Sequence, residues 1–130
     1  MNIYDNNGNL IALVVYYRDI KMGKNFLTLG NEDMQIATFS FDKQSIIENH
    51  KHNKQNRIIE STSEFLLVLD GEMTVEIFDD ELNFITSIIL KSRDSITLFR
   101  GGHGVNIHSE CKFIEAKQGP YIEELDKQRF

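Results

Sequence analysis

A chain of 130 residues, 41% hydrophobic and 26% charged, is long enough for one closed core, and its nine Phe and four Tyr supply large apolar bodies for it. With 14 Lys plus Arg against 20 Asp plus Glu, the net charge of -6 opposes a phosphate backbone and argues against nucleic acid as a partner. The single cysteine, Cys111, allows no intrachain disulfide, and no apolar run approaches the ~20 residues of a membrane span, so one cytoplasmic domain over residues 1–130 is expected, with no membrane contact.

Taken in chain order, the periodicity points to strands. Leu10 to Tyr17 is apolar and rich in β-branched and aromatic residues, and a turn-like stretch, Arg18 to Asn25, follows it around Gly23. Alternation predicts a further strand over Met34 to Phe41. After the polar segment Asn49 to Asn56 comes Phe65 to Leu69, a continuous apolar run. With Asp70-Gly71 and the alternating Met73 to Phe78 it reads as a hairpin. Asp79-Asp80-Glu81 marks a turn into Leu82 to Leu90, and strands are predicted over Ser95–Phe99, Gly104–His108 and Cys111–Lys117. Residues 122–130 are expected as a short helix or a frayed tail. Roughly ten short strands with turns at close intervals describe an all-β sandwich or barrel. Because the Phe65–Leu69 run does not alternate, both of its faces should be covered, by a second layer of the sandwich or by a second copy in a homodimer.

Several polar residues carry possible chemistry. In a strand, residues i and i+2 share a face, so His50 and His52 would project together, as two ligands of one metal ion or as solvated surface. Glu64 opens the apolar run in phase with Leu66 and Val68, and a carboxylate aimed at a core needs a counter-charge. A metal cation would serve, and so would Arg57 or Arg18. His103 closes the stretch Arg100-Gly-Gly and is in phase with Val105 and Ile107, which makes it an inward-facing rim residue or a turn residue. No helix pattern follows those glycines, so they do not read as a phosphate loop. Arg57 and Arg100 are the cations that could hold an anionic ligand.

The run His50-Lys-His52, then Glu64, six residues and Gly71, and later a glycine turn with His103, resembles the cupin superfamily. The resemblance implies a single jelly-roll barrel in which His50, His52, Glu64 and His103 bind one divalent ion, with Fe, Mn, Ni or Zn all suited to such donors. The chain departs from the pattern in the eleven residues between His52 and Glu64, a longer gap than the family shows but one of small entropic cost. Ser92, Leu98 and Arg100 stand where the second motif has Gly, Pro and Gly, and Ile107 replaces its Asn. A closer likeness is to small cupins of surface-polysaccharide biosynthesis, around Thr62-Ser-Glu64, Gly101-Gly-His103-Gly and Glu115-Ala-Lys117-Gln-Gly-Pro-Tyr121. That likeness implies a sugar or sugar nucleotide as ligand and isomerisation or epimerisation as the reaction, with Glu115 or Lys117 moving the proton. Tyr121 is then a ligand contact, or a turn aromatic packed on the barrel. The alternatives are a non-catalytic module binding a small anionic or sugar ligand and a metal-stabilised structural subunit, since one fold hosts many functions.

Overall fold

The computed structural model describes all residues from Met1 to Phe130. Ten strands run in chain order: β1 (Asn2–Tyr4), β2 (Leu10–Val15), β3 (Gly23–Phe26), β4 (Ala37–Ser40), β5 (Glu64–Asp70), β6 (Glu72–Phe78), β7 (Phe84–Lys91), β8 (Ser95–Leu98), β9 (Gly102–Asn106) and β10 (Lys112–Lys117). A one-turn helix, α1 (Glu123–Asp126), follows. All pairings are antiparallel. They make a five-stranded sheet in the order β1-β2-β8-β5-β10, a three-stranded sheet in the order β7-β6-β9, and a separate ribbon of β3 and β4. The fold is therefore all-β, in three sheets that are not hydrogen-bonded into one closed barrel. No helix is long and apolar enough to cross a membrane.

One core lies between the two larger sheets. Ala12, Val14, Leu66, Val68, Ile96 and Leu98 come from the first sheet, and Met73, Val75, Ile77 and Leu90 from the second. Alternation produces this directly: Met73, Val75 and Ile77 are fully buried on one face of β6, while Thr74, Glu76 and Phe78 take the other. Cys111 packs half-buried against the core edge, the position of a small hydrophobe.

Four expectations change in detail. Asp70-Gly71 does not close a hairpin, because β5 and β6 belong to different sheets. Both edges of β5 are already taken, by β8 on one side and β10 on the other, so β6 has no ladder to join there. The chain instead turns at Gly71, with φ +80°, and crosses the core, which buries the apolar faces of both strands against each other. The hairpin of this region is β6–β7, closed by Asp79. Its Oδ1 accepts the N–H groups of Glu81 at 3.0 Å and Asn83 at 2.8 Å.

The turn-like stretch after β2 ends early, since Gly23–Phe26, which carries no hydrophobic period of its own, pairs as a ribbon with Ala37–Ser40, the middle of the strand expected over Met34 to Phe41. β9 begins at Gly102, ahead of the expected Gly104, which places His103 inside a strand. Cover on both faces is found on β8, the central strand of the five, where all four residues are buried. On β5 it is partial: Leu66 and Val68 are buried, Phe65 and Leu67 half-buried and Leu69 51% exposed. The outward face that the expected dimer would cover is thus Leu67 and Leu69 with Ile114 on the neighbouring edge strand.

Candidate functional site

Strand register brings a group of charged side chains to one end of the core. Glu64 is the first residue of β5, opposite Leu98 on β8 and Lys117 on β10. Leu66 and Val68 face the core, so Glu64, two residues before Leu66, opens the same face at its end. Cross-strand partners share a face, which adds Lys117 beside Glu64 and Glu115 beside Leu66. His103 arrives from the other sheet. Its partner on β6 is Ile77 and the partner of Val105 is Val75, both fully buried, so His103 also faces inward.

The resulting contacts are short. His103 Nε2 lies 2.9 Å from Glu64 Oε2, and Lys117 Nζ lies 3.5 Å from Glu64 Oε1. Lys117 also donates to Asp126 Oδ2 at 2.6 Å and sits 3.9 Å from Glu115 Oε1. Its ammonium lies 4.9 Å from the centroid of the Tyr121 ring, within reach of a cation–π interaction. One lysine and one imidazole thus face three carboxylates. Pairing with His103 is the main reason the Glu64 carboxyl is held below the usual glutamate range, against its burial and with help from Lys117. The Asp126 hydrogen bond is the main reason Lys117 is held above the usual lysine value, with Glu64 and Glu115 adding to it. Lys117 is therefore a fixed cation at neutral pH. In the structure it supplies the counter-charge that Glu64 requires, with the His103 ring beside the same carboxylate.

Glu64, His103 and Glu115 face a cavity of about 700 Å³ that opens between the two sheets and reaches round the edge of β9 to Glu76 and Phe78 on the outward face. Glu64, Leu98, Arg100, His103 and Glu115 line it, together with the chain from Asp126 to Phe130. Only four of its seventeen lining residues are hydrophobic, which suits a polar ligand over an apolar one. Arg100 stands between this cavity and a second of about 420 Å³, and pairs there with Glu32 at 3.3 Å.

Of the residues singled out from the sequence, Glu64, His103, Glu115 and Lys117 come together, with Tyr121 against Lys117 and Arg100 at the rim. His50, His52 and Arg57 do not join them. They lie exposed in the connection from β4 to β5, residues 41–63, which contains no helix or strand. The strand geometry assumed for His50 and His52 is absent there, because the polar stretch offers no alternating apolar face to pair. Their rings still lie edge to face, with centroids 5.4 Å apart. Asp126 and Phe130 carry no signal in the sequence. Both fall in a charged tail with no motif, and only the fold brings them to the cavity.

Four donors on one divalent ion must converge at about 2.0–2.2 Å from it. The Glu64–His103 separation of 2.9 Å suits two neighbouring donors, which at those bond lengths stand ~3.0 Å apart in an octahedral site. Nowhere, however, do three or more His, Cys, Asp or Glu side chains form a group able to hold a metal. As folded here, the four expected ligands do not make a cage. Compared with protein-family models, curated proteins and solved structures, the chain matches none of them.

Proposed function

We propose that the chain is a cupin-like jelly-roll module whose inter-sheet cavity takes a small polar, sugar-like ligand and moves a proton on it, as in isomerisation or epimerisation of a sugar or sugar nucleotide. The observation that carries this reading is the Glu64–His103 pair on the wall of a polar cavity of about 700 Å³. The two facing antiparallel sheets support the jelly-roll architecture.

Each group then has a physical role. Glu64, held ionised, accepts from His103 Nε2 and so fixes the imidazole tautomer. Nδ1, which has no protein partner, is left with its lone pair free to take a proton from carbon next to a carbonyl and to return it. Lys117 and Asp126 hold Glu64 in place. Glu115, the more exposed carboxylate at 46%, is the second group able to accept a proton, and Arg100 is a cation on the cavity lining for an anionic ligand group.

Incubation with a panel of nucleoside diphosphate hexoses that carry a keto group on the sugar ring, in deuterium oxide, tests this reading, with proton NMR following exchange at the carbons next to the carbonyl. Deuterium incorporation is expected, and His103→Ala should slow it by roughly a hundredfold or more. Saturable binding without exchange on any sugar would reject catalysis and leave the non-catalytic binding module.

A second reading rests on the same 2.9 Å separation. Glu64 and His103 would be two ligands of a divalent ion, and His50 and His52 would complete the set by folding over from residues 41–63. Elemental analysis of untagged protein decides it. Stoichiometric metal that is lost in both His103→Ala and the double variant His50→Ala, His52→Ala supports the site; retention in the double variant removes His50 and His52 from it.

A further inference from the structure

We propose that residues 123–130 form a strap that closes the inter-sheet cavity, held by two fastenings, Asp126 on Lys117 and Phe130 on Gly102. The inference concerns access to the cavity and stands whether or not the proton chemistry above is correct.

The two sheets end in open edges, β10 in the first and β9 in the second. Beyond β10 the chain bridges them. Its first fastening is to β10, where Lys117 Nζ and Asp126 Oδ2 lie 2.6 Å apart with side chains only 16% and 10% exposed. The second is to the other sheet. Phe78 and Gly102 are cross-strand partners on the face of β6 and β9 that turns away from the core. The Phe130 ring sits edge-on to Phe78 at 5.1 Å, in the space that glycine leaves open: a Cβ on Gly102 would come within 2.7 Å of the ring. Between these points Lys127, Gln128 and Arg129 form part of the cavity wall.

Little else holds the segment. Helix α1 buries no residue and has no side-chain cap. Its backbone bonds are two, from the N–H groups of Leu125 and Asp126 to the carbonyl of Ile122. It joins neither sheet, and Leu125 and Phe130 are 80% and 64% exposed. Segments with so few buried contacts open at far lower cost than the core they lie on. The strap can therefore release without unfolding the sheets, and release uncovers His103 and Glu64.

Carbethoxylation of histidines by diethyl pyrocarbonate, mapped by peptide mass spectrometry on the whole chain, reads this directly. His103, 31% exposed in the cavity, should react more slowly than the exposed His50 and His52. Asp126→Asn and Phe130→Ala remove one fastening each, the second without changing charge. Both are expected to raise the His103 rate by about tenfold, leaving His50 and His52 unchanged and the melting temperature within about 3 °C. An unchanged His103 rate in both variants overturns the strap. So does a rise in Asp126→Asn alone, which would mark an electrostatic effect on the imidazole. A fall in melting temperature of roughly 10 °C or more would make the segment part of the core and overturn it as well.

Discussion

Gly71→Ala is expected to destabilise the protein by about 3–5 kcal/mol, and Gly8→Ala by only about 1–2 kcal/mol. Both glycines have positive φ, +80° and +84°, so each substitution carries the strain of a side chain in the left-handed region. They differ in surroundings. A Cβ on Gly8 meets nothing within 4 Å, whereas one on Gly71 would overlap the backbone carbonyl oxygen of Glu110 and press on the Cα of Cys111. Neither neighbour can move without disturbing the entry to β10, which pairs with β5 along its length. The collision therefore adds an overpacking term to the dihedral term. Thermal melts should show Gly71→Ala lower than wild type by roughly 10–20 °C. Equal losses in the two variants would show that only the dihedral matters, and that the crossing between sheets at Gly71 is not sterically constrained.

The same glycine shows how much of the architecture the sequence carries. A turn was readable at Asp70-Gly71, as was the apolar character of the strands on either side. The partners of those strands were not readable. Alternation fixes which face of a strand is buried, but not which edge is free, and β5 uses both of its edges on strands distant in the chain. The inward direction of Glu64 and His103 followed from parity alone, since Leu66, Val68 and Val105 keep their phase in the folded chain. Parity also placed Glu115 and Lys117 on one face. It could not reach His50 and His52, because residues 41–63 have no strand to give them a phase. Nor could it reveal that the counter-charge of Glu64 is a lysine directly across the ladder. That pairing depends on the register between β5 and β10, which is set by long-range packing and has no local signature.

Because Lys117 is shared among Glu64, Glu115 and Asp126, Lys117→Met should give the largest stability loss of any single charge removal at the site, far beyond that of Lys91→Met. The Lys91–Glu72 pair serves as control: at 3.8 Å, with side chains 72% and 48% exposed, it is screened by water and should matter by less than about 1 kcal/mol. Removal of Lys117 leaves Glu64 and Asp126, only 16% and 10% exposed, close together without their shared cation. His103 alone then remains beside Glu64. The pH dependence identifies the cause. Glu64 is held below its ordinary value of 4.5, so in the wild type its contribution is full above that value and is lost as pH falls through the folded pKa. Lys117 is held above its ordinary 10.5, so its contribution is full below that value and is lost as pH rises through the folded pKa. Between these limits the wild type keeps both contributions. The variant lacks the alkaline limb, and protonation of its unneutralised carboxylates relieves their repulsion, so its deficit should shrink as pH falls from about 7 towards about 4. Urea unfolding of wild type and variant across that range measures the difference. A deficit constant with pH, or one no larger than that of Lys91→Met, would show that Lys117 contributes through packing of its aliphatic stem and that the carboxylates do not depend on its charge.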